Sequence, residues 1–396
     1  MEKKEYYPQL ESLRGIAALL VAFSHVGWIT PLFSLRLIRN GYSMVDFFFV
    51  LSGFVICNSY RDRLRTQTEI GRFVWLRFWR LYPLHFLTLM VFLGFEVLKA
   101  LFAAHVAAAS HPAFSYNTPR AFLANLFLVQ ALGSAGTTFN WPSWSICTEF
   151  FAYLSFAVLA TMLRATRSAL MVTTAVSVVA LLVLLLHGET DLTTTSRLGF
   201  FRCLFGFYLG VSTNIAFEAL AQRRKAVTAG AKKITRLALL SACAGLYTFK
   251  QPGYLDFVAV PLVALLVFSL ADAAPGTAGR VLLSKPLVWL GTISYSVYMV
   301  HAAVVWSLLQ VIRVVFNGAT VEVAGLAAVQ VAPLVGILFL VPALLLIWGA
   351  SELTYRWVER PFREWSRRVA ARWQNASTTD AERSYLATAS SEARRA

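Results

Sequence analysis

Charged residues are scarce in this sequence. Asp, Glu, Lys and Arg make up only 14% of its 396 residues, whereas they make up about 25% of a soluble protein. Alternation of polar and apolar residues at strand spacing is also missing, which argues against a β-barrel. Hydrophobic residues instead account for 58% of the chain, and the mean hydropathy is +0.61. The composition therefore predicts an all-α polytopic membrane protein.

Cysteine occurs at only four positions, Cys57, Cys147, Cys203 and Cys243. These residues lie in or beside apolar runs and lack the spacing of metal ligands. We interpret them as packing residues and expect neither a disulfide nor a metal site. A cleavable signal sequence is not expected either, because the first apolar run lacks a small-residue cleavage site and suits a signal anchor.

Acidic residues are outnumbered by basic ones, and the net charge is +16. The basic residues fall in short segments between apolar runs. This pattern is typical of membrane orientation rather than of a surface that binds nucleic acid. Basic connections at about 61–77 and 223–236 predict that both termini face the cytoplasm. We expect a multi-pass plasma-membrane protein, such as one of the bacterial inner membrane, with the lipid bilayer and no nucleic acid among its partners.

About ten apolar runs are long enough to cross a bilayer. They lie at roughly 11–30, 43–60, 78–103, 145–163, 169–187, 198–218, 234–250, 254–271, 287–312 and 331–355. Between the third and fourth runs, Thr118 and Pro119 predict the start of a helix too short to span, which we interpret as re-entrant or interfacial. The sequence thus predicts a transmembrane domain over residues 1–365. A cytoplasmic tail over 366–396 has a composition typical of disorder.

Arg14 and His25 stand in the first apolar run, where ionisable side chains are costly and need a partner or a function. Their separation of eleven positions corresponds to about three helical turns, so both lie on one face, roughly 16 Å apart along the axis. We expect Arg14 near one membrane surface and His25 near the middle of the bilayer. The alternative is a snorkelling arginine and a histidine satisfied by a neighbouring helix.

Two acidic residues occupy the starts of other apolar runs. Asp46 opens the second run, where it either caps the helix or pairs with Arg14 or His25. Glu149 lies in the fourth run and shares one helical face with Ser145 and Tyr153, which we expect to line the substrate cavity. An acid within an apolar helix is a candidate for function, and a hydrogen-bonded structural acid is its alternative.

Polar side chains repeat at three-residue steps in two other runs. Arg77 and Arg80 share a face at the predicted cytoplasmic end of the third helix, where two guanidinium groups suit a phosphate-bearing ligand. Ordinary anchoring at the membrane surface is the alternative. Tyr295, Tyr298 and His301 follow one another along the ninth helix. They form either a hydrogen-bonded packing seam or a wall of a reaction cavity.

These segments, in this order, resemble acyltransferase family 3, a family of integral membrane O-acyltransferases. The matching segments are Leu13-Arg14-Gly15 with His25, Asp46–Phe54, Arg77–Pro83, Trp144–Tyr153, Ser294–His301 and Glu359-Arg360-Pro361. They extend from the first helix to the last. No single segment is specific, but their combination is.

The resemblance implies an acyl-CoA donor, usually acetyl-CoA, and the hydroxyl of a carbohydrate or glycolipid as acceptor. It maps the family's paired arginines onto Arg77 and Arg80, and these suit the phosphates of a donor that stays in the cytoplasm. Arg14 corresponds to the family's arginine of the first helix. We expect it either to hold CoA or to anchor the helix.

The same resemblance places the family's histidine at His25. We expect this residue to act as general base on the acceptor hydroxyl. An adjacent carboxylate, from Glu149 or Asp46, is expected to orient the imidazole ring and stabilise its charged form. Direct transfer and an acyl-enzyme intermediate both stay open.

Two other classes of protein are alternatives to an enzyme. A secondary transporter or flippase for a glycolipid or polysaccharide would also use buried charges and a re-entrant segment. Such a transporter more often has halves related by internal symmetry, which this sequence lacks. A non-catalytic membrane scaffold leaves Arg14, His25 and Glu149 without explanation.

Overall fold

The computed structural model describes most of the chain, with gaps at both termini and in a few connections. The described residues are 7–102, 112–133, 137–162, 165–272, 277–316, 319–323 and 326–373. Within them, the protein is a bundle of α-helices with a single short hairpin of β-strands.

Fifteen α-helices and two β-strands follow one another along the described residues. The α-helices are α1 (Pro8–Ser24), α2 (Arg36–Arg39), α3 (Met44–Tyr60), α4 (Gln67–Leu101), α5 (Pro119–Leu126), α6 (Trp144–Met162), α7 (Thr166–Leu186), α8 (Gly199–Ala219), α9 (Ala221–Ala226), α10 (Ala229–Phe249), α11 (Leu255–Ala271), α12 (Thr277–Leu282), α13 (Lys285–Thr292), α14 (Ser294–Phe316) and α15 (Pro333–Thr354). Strands β1 (Thr320–Val323) and β2 (Leu326–Val329) pair antiparallel. After α15, a π-helical turn at Tyr355–Glu359 leads into further helix, which the structure describes as far as Trp373.

A helix occupies each of the ten positions at which the sequence predicts a span. Within the described residues, seven helices are long and apolar enough to cross a membrane, and Leu255–Ala271 is a shorter apolar helix. The all-α membrane class is therefore confirmed. That all ten helices cross the bilayer, and that both termini are cytoplasmic, stay predictions.

The short helix predicted to begin at Thr118 and Pro119 is present: Thr118 Oγ1 accepts from Ala121 N at 3.2 Å, and the helix ends at Leu126. Two other local features differ from the sequence-based expectation. The β-hairpin was not predicted, since its strands are only four residues long and polar and apolar residues alternate in β1 alone. The last helix continues past position 366, where the tail was predicted to begin; residues 374–396 lie outside the described part of the chain.

Helices α3 and α8 approach each other closely because glycines stand at their contact. A Cβ atom added at Gly53 would overlap the carbonyl oxygen of Phe207, and one added at Gly210 would overlap that of Val50. Small residues of this kind permit backbone contact between membrane helices. Gly53 and Gly210 therefore serve the packing of α3 against α8.

This contact yields a first prediction. Gly53→Ala should destabilise the folded protein by about 1–3 kcal/mol, because the added methyl group meets backbone that cannot move aside. The control is Gly94→Ala on α4, where nothing lies within 4 Å of the added Cβ; alanine there should be neutral or slightly favourable. Thermal unfolding of the two variants in detergent compares them. Equal melting temperatures would contradict the close contact.

Candidate active site

A basic cavity of about 620 Å³ opens between α1, α3, α4, α6, α14 and the helix that follows α15. Arg14, Arg77 and Arg80, predicted to bind the donor, all line it. Three further arginines join them, and the acidic residues of the lining are two glutamates. The added arginines are Arg63, Arg363 and Arg367, and the glutamates are Glu11 and Glu149. We call this space the arginine cavity; its charge favours a polyanionic ligand.

Arg77 is held by aromatic side chains, and its buried Nε donor has no hydrogen-bond partner among the described residues. Its Nη2 donates to the hydroxyl of Tyr60 at 3.1 Å, and its guanidinium lies over the rings of Tyr60, Phe73 and Tyr153 at 5.2, 5.9 and 6.0 Å from their centroids. The aromatic rings therefore fix the position of the Arg77 guanidinium in the cavity wall.

Arg80 faces a buried acid at the far end of the chain. Its Nη1 lies 4.0 Å from Glu359 Oε1, which also accepts from Arg363 at 3.1 Å. Ser296 donates to the other carboxylate oxygen of Glu359 at 3.0 Å. Glu359 belongs to one of the segments that carry the family resemblance, and it lies between two arginines of the cavity, within the π-helical turn.

Glu149 lies in the cavity wall within a hydrogen-bonded triad. Ser52 Oγ donates to its Oε1 at 2.6 Å, and the Tyr153 hydroxyl donates to the same atom at 2.5 Å. The Ser52 and Tyr153 oxygens are themselves 2.9 Å apart. Glu149 is thus hydrogen-bonded and also lines the cavity, and a functional role for it stays a prediction.

Three other residues predicted for the cavity also line it. Tyr295 donates to the carbonyl of Leu81 at 2.5 Å. The hydroxyls of Tyr298 and Ser145 are 2.7 Å apart. The Tyr298 ring also lies 5.9 Å from the His301 ring, between centroids. Tyr298 thus contacts both the cavity and the histidines described next.

His25 and His301 form a pair just beyond the arginine cavity. Neither residue is in the cavity lining. His25 Nδ1 lies 2.9 Å from His301 Nε2, and the two ring planes are 18° from parallel with centroids 5.0 Å apart. His301 is fully buried. His25 comes from the C-terminal end of α1 and His301 from α14, so the contact crosses the bundle.

The hydrogen bonds assign a tautomer to this pair. His301 Nδ1 lies 3.3 Å from the Val297 carbonyl, which only accepts, so Nδ1 carries the hydrogen. In neutral His301 the lone pair is then on Nε2, and His25 Nδ1–H donates to it. This arrangement leaves the lone pair of His25 on Nε2, ready to accept a proton.

Asp46 has a different partner from those predicted. Its two carboxylate oxygens accept from Arg202 Nε and Nη2 at 2.8 and 2.9 Å, and both side chains are buried. The α3 start also has no side-chain cap. The structure thus corrects both expectations for Asp46, namely pairing with Arg14 or His25 and capping of the helix. Arg202 is its partner instead, because the planar fork of arginine matches the carboxylate at two points. An isolated arginine inside the apolar helix α8 was the signal that could have found this partner.

Among the described residues, no carboxylate orients the His25 ring. The hydrogen-bond partners of Glu149 are Ser52 and Tyr153, and the partner of Asp46 is Arg202. His301 occupies the position beside His25 at which a carboxylate was expected. The sequence did not indicate this contact, because the two histidines are 276 positions apart.

Comparison with known proteins identifies the family. Residues 7–352 match the family model described as an acyltransferase domain, of acyltransferase family 3. The chain therefore belongs to this family and is an acyl-transferring enzyme. Its membership decides against the transporter and the scaffold.

Curated relatives agree with the family. The chain is 27% identical over 325 residues to acyltransferase MdmB of Streptomyces mycarofaciens, covering 75% of this chain and 79% of that protein. It is 36% identical over 94 residues to protein 2 in the picA locus of Rhizobium radiobacter, covering 24% and 47%. It is 30% identical over 152 residues to ORF330 of Acidianus two-tailed virus, whose name proposes an acetyltransferase, covering 38% and 40%. No solved structure matches the chain.

The histidine pair yields a second prediction. His301→Leu removes the acceptor for His25 Nδ1–H, a loss of about 1–3 kcal/mol, or roughly five- to 150-fold in acyl-transfer rate. His301→Gln retains an acceptor oxygen and should recover most of that rate. Rates are compared in membranes with equal amounts of folded protein, and the KM for the donor should stay unchanged in both variants. If Gln impaired the rate as severely as Leu, His301 would not be a positioning residue.

Proposed function

We propose that this enzyme moves an acyl group, in the simplest case acetyl, from cytoplasmic acyl-CoA to a hydroxyl of a cell-surface or exported carbohydrate. The observation that carries the proposal is the arrangement of Arg14, Arg77 and Arg80 around one cavity that borders the His25–His301 pair. A donor bound through its phosphates at these arginines would have its thioester end free to reach the histidines.

The arginine cavity fits such a donor in two respects. Its volume of about 620 Å³ lies within the range of about 300–1,000 Å³ found for small-molecule sites. Its arginines offer the forked donors that suit phosphate oxygens. CoA is larger than this volume, so the cavity would enclose only part of it.

His25 is the general base of the proposed reaction. Its Nε2 takes the proton of the acceptor hydroxyl while the hydroxyl oxygen attacks the thioester carbonyl carbon. A C–O bond forms, the C–S bond breaks, and the CoA sulfur leaves as a thiolate that takes up the proton from His25. The products are an O-acyl ester and CoA. His301 keeps the ring of His25 in the tautomer that begins this cycle.

The donor and acceptor classes have separate support. CoA and the carbohydrate come from the family resemblance of the sequence. The name of the viral relative ORF330 agrees with acetyl as the group transferred. The basic connections that predict cytoplasmic loops also favour placing the amino-terminal half of α4, with Arg77 and Arg80, on the side where CoA is found. These features together favour the plasma membrane as the site of transfer.

The direct assay follows radiolabelled acetyl-CoA with the purified enzyme. Release of CoA together with transfer of label to carbohydrate is the expected result. Failure of acetyl-CoA to bind or react would contradict the donor proposal, and label in a non-carbohydrate product would contradict the acceptor class.

A third prediction concerns the donor. Arg77→Ala or Arg80→Ala removes a charge-assisted hydrogen bond worth about 1.5–3 kcal/mol, so donor affinity should fall about tenfold or more. Arg→Lys should restore it only in part, because the fork is lost. Arg120→Ala is the matched control, since that arginine is exposed on α5 and absent from the cavity lining. Binding of radiolabelled acetyl-CoA measures the effect; unchanged affinity in both alanine variants would leave these arginines as membrane anchors.

A fourth prediction tests the base. His25→Gln keeps hydrogen-bonding capacity near the same position but cannot take up a proton, so the transfer rate should fall by about 10²–10⁴. Acetyl-CoA binding should persist, because His25 is not in the lining of the arginine cavity. The measurement is acceptor modification in cells with matched amounts of inserted protein. Near-normal modification would remove His25 from the mechanism.

A further inference from the structure

A second cavity, of about 210 Å³, lies on the other side of the histidine pair. Its wall is formed by the C-terminal end of α4, the C-terminal half of α14 and the segments before α5 and α6. Arg80 and Glu96, one from each cavity, are sixteen positions apart on α4, or about 24 Å along the helix axis. We call this space the aromatic cavity, and it is separate from the arginine cavity.

Trp141 joins the aromatic cavity to the proposed base. Its ring lies in the cavity wall and meets the ring of His25 edge to face, with centroids 6.1 Å apart. Phe92, also in the wall, packs against Trp141 at 5.8 Å. Tyr298 of the arginine cavity contacts the pair from the opposite side, through His301. The pair therefore stands between two cavities, each of which reaches it through one aromatic residue.

Helix α14 supplies unused polar groups to the aromatic cavity. Gln310 and Arg313 are three positions apart and line it, so they share one helical face. Within the described residues, neither side chain has a hydrogen-bond or ion-pair partner. Their donors and the Gln310 carbonyl oxygen are thus available to a ligand.

On the α4 side, a buried acid is held in place by three donors. Glu96 accepts from Lys99 Nζ, from Asn117 Nδ2 and from the backbone N–H of Phe114, each at 2.7 Å. Asn117 Oδ1 in turn accepts from the backbone N–H of Phe139 at 2.5 Å. The charge of the acid is balanced by Lys99, and its position is rigid, as a site that selects for ligand geometry requires.

Flat apolar surface lies next to these polar groups. Trp306 stacks on Phe95 with centroids 4.5 Å apart and planes 18° from parallel, and both rings line the cavity. Aromatic faces carry negative charge density, which suits the slightly positive C–H groups on the face of a sugar ring. Hydroxyl groups at the edge of such a ring need the donors and acceptors that Gln310, Arg313 and Glu96 present.

We infer that the aromatic cavity binds one sugar ring of the acceptor and presents a ring hydroxyl to His25 Nε2. This inference rests on the proposed function, since it assigns the acceptor to a site. The volume of about 210 Å³ is below the range of about 300–1,000 Å³ that encloses drug-sized ligands. A single ring is therefore held, and the rest of a longer glycan lies outside the cavity.

Protection from a thiol reagent tests the site in the full-length protein in lipid nanodiscs. The four native cysteines are all buried, so an added cysteine is the main target of a maleimide. Ser115→Cys reports on the cavity, since this exposed serine lines it and donates to the Pro112 carbonyl at 2.7 Å. Ser34→Cys is the control: it is also exposed, donates to the Pro31 carbonyl at 2.8 Å and is absent from the lining.

The probes are the methyl glycosides of glucose, galactose and mannose, each at high concentration. At least one should slow the labelling of Ser115→Cys about threefold or more and leave that of Ser34→Cys unchanged. When Trp306→Ala is combined with Ser115→Cys, the protection should be lost. When Trp348→Ala is combined with Ser115→Cys instead, the protection should persist, because Trp348 is exposed on α15 and lines neither cavity. The inference would be overturned if no glycoside slowed the labelling, if labelling slowed equally at both cysteines, or if the protection persisted in the Trp306→Ala variant.

Binding of radiolabelled acetyl-CoA to the same samples separates this inference from the proposed function. Acetyl-CoA that binds without any protection by sugars refutes the sugar site alone. Protection by sugars without acetyl-CoA binding supports the sugar site and refutes the donor proposal. With both activities present, Trp306→Ala should raise the acceptor KM at least tenfold and leave acetyl-CoA affinity unchanged.

Discussion

Ionisable groups inside this bundle are stabilised by partners within the protein, because lipid offers no hydrogen bonds. Asp46 and Arg202 pair across the interface of α3 and α8, the same interface at which glycines permit backbone contact. Lys250 and Asp256 pair between the end of α10 and the start of α11. Losing one member of such a buried pair costs about 3–5 kcal/mol, so the Asp46–Arg202 pair holds α3, which lines the arginine cavity, against α8.

Two long helices then organise the chemistry. The first half of α4 supplies Arg77 and Arg80 to the arginine cavity, and its end supplies Glu96 to the aromatic cavity. Helix α14 runs past both cavities and holds His301 between them. A site built on continuous helices keeps its parts at fixed separations, which favours the geometry that group transfer requires. The acyl group and the acceptor would thus meet at one point without a large movement of the helices.

Much of this arrangement could be predicted from single helices, and little of it from contacts between them. Arg77, Arg80 and Glu149 were found because a charge in an apolar helix is conspicuous, and their helical spacing placed them on common faces. The His25–His301 contact could not be predicted, since spacing along one helix says nothing about which helix lies opposite. The polar groups of the aromatic cavity were missed for a similar reason: Glu96 lies at the end of its helix, where solvated charge is ordinary.

The helix beyond the π-helical turn has a practical consequence. The family match ends at residue 352, yet Arg363 and Arg367 line the arginine cavity and Glu359 lies between two of its guanidinium groups. A truncated protein that stopped at the domain boundary would leave Arg80 without its acidic neighbour and the cavity without two of its cations. The lining of the cavity therefore extends past the end of the family match, and the C-terminal helix belongs in any recombinant version of the enzyme.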